Sequence, residues 1–193
     1  YSSLLLNIHL IRKIDKDTEI EIKNNTRGSF FFSTRSGELV IDLNEYGDSD
    51  RISFGELTKI SGRIRKILSH LDIVITEVIS DDNTTIEEVV TALKIQDSYN
   101  ELLSLGDTKL SDVDFIDIGI VEEFVQNGDS DKMRKILESK KTNLRYVIAE
   151  TATELYKRDE LNDYNKMKIV AEVLGYKNTD YFWKWNSKFF RIR

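Results

Sequence analysis

The 193-residue sequence has no cysteine, no proline and only two histidines, and it holds no apolar run long enough to cross a bilayer. Without cysteine there is no disulfide, no thiolate metal site and no cysteine nucleophile, so an intracellular or viral origin fits better than a small stapled secreted domain. Average usage of about 5% would put roughly ten prolines in a chain this long. Their absence argues against Pro-rich linkers and polyproline ligand segments. Together with many Ile, Lys, Asn and Asp residues, it accords with a compositionally biased, AT-rich genome. The longest apolar run, Leu4-Leu5-Leu6-Asn7-Ile8-His9-Leu10-Ile11, is interrupted at Asn7 and His9. It is about half the ~20 residues of a membrane helix and is expected to form a buried strand. Arg12 and Lys13 follow it, whereas a secretory signal would carry its positive charge ahead of it. No membrane partner is expected. The sequence begins at Tyr1 rather than methionine, which leaves a leader open.

The charge that is present is divided. The formal net charge is −6, yet residues 132–193 carry 15 Lys and Arg against 8 Asp and Glu, while residues 1–131 carry 13 against 26. The C-terminal part is therefore basic and the remainder strongly acidic. Such asymmetry points to two surfaces with different partners, or to nucleic-acid contact by the basic part, and it is equally what two separately solvated faces would give.

Hydrophobic spacing divides the chain at nearly residue 80. In the first part Ile20 and Ile22 alternate with Glu19, Glu21 and Lys23, and residues 28–34 and 38–43 form strand-like runs joined at Ser36-Gly37. Ser53-Phe54-Gly55-Glu56 has the spacing of a capping box. The helix it opens places Leu57, Ile60, Ile64, Ile67 and Leu68 on one face, and residues 71–79 return as a strand, with Ile73, Ile75 and Ile79 alternating against Val74, Thr76 and Val78. After Ser80-Asp81-Asp82-Asn83 the spacing is helical. Thr84 or Thr85 is expected to cap a helix through Val89, Val90 and Leu93, whose phase slips near Gln96-Asp97. Further helices are expected over 116–125, 132–137, 144–156 and 164–174, with Asn127-Gly128 and Gly175 as stops. The expected fold is α+β: a small antiparallel β-domain with one helix at 1–80, then an all-α helical bundle at 81–193, basic from about 132.

Motifs for catalysis and cofactors are missing. Two isolated histidines without an H-x-x-x-H spacing argue against zinc. No G-x-S-x-G, G-x-G-x-x-G or G-x-x-x-x-G-K-[ST] is present. The nearest approach to a calcium loop runs from Asn127 through Asp129 and Asp131 to Glu138, but Lys132 stands where the turn needs glycine. Asp129 or Ser130 is the better candidate for a helix cap. Neither a catalytic residue, a cofactor nor a metal is therefore expected.

Two resemblances bear on function. Ile169-Val170-Ala171-Glu172, Gly175-Tyr176, Asn178, Tyr181-Phe182 and Lys184 are similar to the second helix-turn-helix of AraC-type regulators. That similarity covers about twenty residues, and no first helix-turn-helix is evident. It implies a DNA-binding regulator using 164–193, with the helix from Asn178 in the major groove and Lys184 facing phosphate. Tyr181, Phe182, Trp183 and Trp185, however, leave few polar side chains for base edges. Over most of the chain, Tyr46-Gly47-Asp48, Ile52-Ser53-Phe54-Gly55-Glu56-Leu57, Asp159-Glu160-Leu161-Asn162, Lys166-Met167-Lys168-Ile169 and Leu174-Gly175 resemble small accessory structural proteins of tailed bacteriophages. This second resemblance implies a non-enzymatic capsid, neck or tail component, assembled in the host cytoplasm and contacting other virion proteins. Lys177, Tyr181, Trp183, Lys184, Trp185 and Lys188 are the candidate contacts with a protein neighbour or, under the first resemblance, DNA, the aromatics having packing in the core as their alternative role.

Overall fold

The computed structural model describes residues 13–79, 83–139 and 144–189, with side chains placed as far as residue 184 in the last stretch. The strand expected over Leu4 to Ile11 lies outside these residues. The first part runs β1 (Glu19–Asn24), β2 (Phe30–Ser33), β3 (Val40–Leu43), β4 (Ser49–Ser53), α1 (Phe54–Ser69) and β5 (Ile73–Ile79). β1 lies between β4 and β5, antiparallel to both, while β2 and β3 form a separate antiparallel hairpin. The alternation in β1 has a direct cause: Ile20 and Ile22 enter the core while Glu19 stays in water.

The expected capping box opens α1. The Ser53 hydroxyl accepts the Glu56 N–H at 3.2 Å, and the Glu56 carboxylate accepts the Ser53 N–H at 3.1 Å. Leu57, Ile60, Ile64 and Leu68 are buried on its inner face. At about 1.5–3 kcal/mol for each buried side chain, against about 1 kcal/mol for a cap, packing holds the helix and the cap sets where it begins.

The helical part comprises α2 (Ile86–Ala92), α3 (Gln96–Ser104), α4 (Ile120–Asn127), α5 (Ser130–Glu138), α6 (Leu144–Lys157), α7 (Tyr164–Val173) and α8 (Thr179–Phe189). The phase slip near Gln96 is real, because α2 ends at Ala92 and Lys94 takes a left-handed φ of 58° before α3 starts. The helix expected over 116–125 begins only at Ile120. Instead, Phe115 bridges Glu77 and the Ile116 N–H donates to the Thr76 carbonyl at 2.9 Å, so the segment covers part of the edge of β5. An unpaired sheet edge outweighed the local helical spacing.

The strict alternation expected in β5 also fails, since Val74 and Thr76 are as buried as Ile73 and Ile75. Both α1 and α2 pack on this strand, and a strand covered on two faces has no solvent side.

One continuous hydrophobic core runs from Ile14 to Trp183 and includes residues on both sides of position 80. Polar groups also join the two parts. The buried Tyr99 hydroxyl on α3 accepts the Ile75 N–H of β5 at 2.7 Å, and Ser98 donates to the Ser69 carbonyl at the end of α1 at 2.7 Å. The boundary itself, at 80–82, lies outside the described residues. Among the described residues no helix is long and apolar enough to cross a membrane.

Candidate interaction surfaces

The α7–α8 unit is built from local signals. Asp163 caps α7 by accepting the N–H groups of Asn165 and Lys166 at 2.9 and 3.2 Å. Gly175, at φ 88°, turns the chain after α7, a conformation that costs an L-residue with a side chain roughly 1–2 kcal/mol. The Asn178 carboxamide oxygen then accepts the Tyr181 N–H at 2.8 Å, starting α8.

Side chains on α8 divide sharply. Phe182 and Trp183 are fully buried, and the Trp183 ring lies 4.9 Å from Tyr156 of α6. The Trp183 indole N–H donates to the Met167 carbonyl at 3.0 Å. Trp183 is therefore spent on the interior and offers no surface to a neighbour, contrary to its place among the candidate contacts. Tyr181 remains 58% exposed, and Lys177 and Lys184 are exposed. Trp185 and Lys188 belong to α8, but their side chains lie outside the described ones.

Further groups gather at this end of the bundle. The Arg145 guanidinium, in the first turn of α6, donates to the Val173 carbonyl at the end of α7 at 2.6 Å. Beside it on α6 Tyr146 is 61% exposed, and in the α7–α8 turn Tyr176 is 40% exposed with its ring 4.6 Å from Phe182. Tyrosine combines apolar area with a polar tip at low entropic cost, which suits it to protein contacts, and it can also stack on bases. For DNA reading the helix is poorly furnished: the side chains described as exposed along it are Asp180, Tyr181 and Lys184. A carboxylate in the first turn of a groove-reading helix would oppose phosphate.

The β2–β3 hairpin carries a second surface, which sequence spacing did not single out. Phe30, Phe32, Ile41 and Leu43 face inward, while Phe31 and Val40 face out, 66% and 47% exposed. A signal was available: three consecutive phenylalanines in one strand must place at least one on the opposite face from the others. β2 pairs only with β3 among the described residues, and residues 28–34 contain no charge to blunt its other edge. A third feature is Phe115, 49% exposed, on a segment where Asp112, Asp114 and Asp117 are exposed too, with the Lys23 ammonium 5.3 Å from its ring centre.

Other polar groups among the described residues join elements of the fold. Arg27 stacks on Tyr46 at 3.8 Å and pairs with Glu122 at 2.7 Å, while Arg158 reaches the same carboxylate at 3.2 Å. The Arg27 N–H lies 3.4 Å from Glu150, whose pKa is raised by burial against the lowering effect of Arg27. This cluster ties the β1–β2 turn to α4 and α6. Lys166 is buried and caps the end of α4, donating to the carbonyls of Val125 and Gln126 at 2.9 and 2.7 Å.

In the stretch compared with a calcium loop, Asp129 accepts the Lys132 N–H at 2.7 Å as the cap of α5, and the Lys132 ammonium pairs with Asp107 at 2.9 Å. An open groove between the starts of α1 and α2 is lined by Lys16, Phe54, Lys59, Glu88 and Lys94. Each of those helix starts already holds its own capping carboxylate, Glu56 or Glu88, where an anion would sit. Comparison of the chain with family models, with characterised proteins and with solved structures finds no match.

Proposed function

We propose that this protein is a non-enzymatic structural component of a tailed-phage virion, acting through protein–protein contacts in the capsid, neck or tail. The observation that carries the reading is the outward face of the β2–β3 hairpin, where Phe31 and Val40 stand in solvent beside an uncharged strand edge. A partner's extended segment can add to such an edge through main-chain hydrogen bonds while Phe31 fills an apolar pocket. Four buried or part-buried polar side chains are engaged in holding the fold. Tyr99 serves β5, Asn25 donates to the Leu71 carbonyl at 2.9 Å, Thr76 donates to Glu21 at 2.6 Å, and Lys166 closes α4. The sequence resemblance to accessory virion proteins supplies the setting. Mass spectrometry of purified virions from the source is the test: the protein is expected at a fixed ratio to the major capsid protein, and its absence would refute the proposal.

A DNA-binding role for 164–193 is the second reading, favoured by the α7–turn–α8 arrangement with Gly175 at the turn and Asn178 as cap. It requires duplex binding that weakens steeply with salt and drops when Lys177 and Lys184 are changed to glutamate. Binding that is absent or insensitive to salt eliminates it.

A further inference from the structure

We propose that copies of this chain associate head to tail, with the exposed face of α8 and its preceding turn on one copy received by the Phe115 segment of the next. This rests on the structural reading above and names one partner for it, a second copy. The two surfaces match in two independent respects. One presents aromatic rings, Tyr176 and Tyr181, together with the cations Lys177 and Lys184, which outweigh the exposed carboxylate of Asp180 between them. The other presents an exposed ring, Phe115, on a segment whose Asp112, Asp114 and Asp117 are exposed as well. Ring can pack against ring while ammonium meets carboxylate at the rim, the arrangement in which rim charges steer and orient and aromatic anchors hold.

The charge balance of the whole chain points the same way. Residues 132–193 hold 15 cationic against 8 anionic side chains, and residues 1–131 hold 13 against 26. Two copies facing each other through the same patch would set like charge against like. A head-to-tail contact sets basic against acidic. Because the two patches are different surfaces, the contact is heterologous, so each copy keeps one patch open for another neighbour and the assembly grows into a ring or an open filament. Lys23 beside Phe115 is held by Glu21 at 3.4 Å, which offsets that cation, while exposed Lys109 precedes the receiving patch by three residues. Asp117 also accepts the Gly119 N–H at 2.8 Å and so positions the start of α4; it is left unchanged in the test.

The experiment is sedimentation velocity on the full chain, at rising concentration and at two salt strengths, with charge-swapped variants. The wild type is expected to associate as concentration rises and to dissociate when salt is raised from about 0.05 to about 0.5 M, where the screening length falls to a few ångströms. Lys177→Glu with Lys184→Glu, and separately Asp112→Lys with Asp114→Lys, are each expected to weaken association by roughly a hundredfold or more, since each sets like charges against each other. Mixing the two variants restores it, because every contact between them is again complementary. Circular dichroism matching the wild type shows that each variant is folded. A wild type that stays monomeric at low salt overturns the proposal, as does a variant that associates alone like the wild type, or a mixture that fails to recover. Retention of duplex DNA by a monomeric wild type, lost in the lysine variant, overturns it in favour of nucleic acid. A monomer nevertheless found in virions removes this contact and leaves the structural role standing.

Discussion

Tyr99→Phe deletes one oxygen and tests whether the sheet and the helices melt as one body. The ring is fully buried, and its hydroxyl accepts the Ile75 N–H at 2.7 Å. Burial holds the phenol well above its ordinary pKa, so it stays neutral across the working range. Phenylalanine fills the same space but leaves the Ile75 N–H buried without its partner, at a cost of about 1–3 kcal/mol. A chain of this size loses about 2–4 °C of melting midpoint per kcal/mol, so about 2–12 °C is expected. Hydrogen-exchange mass spectrometry of peptides from β5 and from α6, alongside a thermal melt, reads the outcome. If Tyr99 couples the two parts, protection falls together in both, because the core is continuous from Ile14 to Trp183. A midpoint change under about 1 °C, or loss of protection confined to β5, would refute that reasoning.

Three further substitutions have outcomes set by single positions. Burial raises the Glu150 pKa in the folded protein, so its ionised form is penalised at neutral pH and relieved as pH falls through that raised value toward the ordinary carboxyl range. Glu150→Gln should therefore raise the melting midpoint at pH 7 and lose that advantage on acidification; a lower midpoint at pH 7 contradicts it. Gly175→Ala should cost about 1–2 kcal/mol through its φ of 88° alone, since nothing crowds the position. Gly128 has an ordinary φ of −70°, yet an added β-carbon would run into the Phe124 carbonyl and ring, so Gly128→Ala should be the worse substitution in a denaturant titration.

What the sequence made legible is what neighbouring residues decide among themselves. Ser53 with Glu56 caps where the spacing says, and of the alternatives the spacing left open Thr85 and Asp129 are the caps, because each is a contact across three residues. The stop at Gly175 is equally local. Illegible were features that depend on distant partners. Ile116 has helical spacing, but its N–H went to the Thr76 carbonyl at the free edge of β5, beside the Phe115 bridge, and Val74 lost its solvent face to packing helices. The candidate surface was legible in part. Lys177, Tyr181 and Lys184 are exposed where expected, while Trp183 turned inward because Met167 and Tyr156 complete its environment. Phe31 could not be chosen from Phe30 and Phe32 by composition; its exposure is set by which side of the hairpin meets the core.

The most direct measurement is incorporation of Phe31→Lys into virions, set against wild type at equal soluble expression. Lysine at this position faces Asp42 across the hairpin, so the fold should change by no more than about 0.5 kcal/mol. A docked phenylalanine worth about 1.5–3 kcal/mol corresponds to roughly a 10- to 100-fold weaker contact on its loss. Expected is wild type at a fixed ratio to capsid protein and the variant depleted about tenfold or more. Equal incorporation of the two, or absence of both from purified particles, would contradict the central claim.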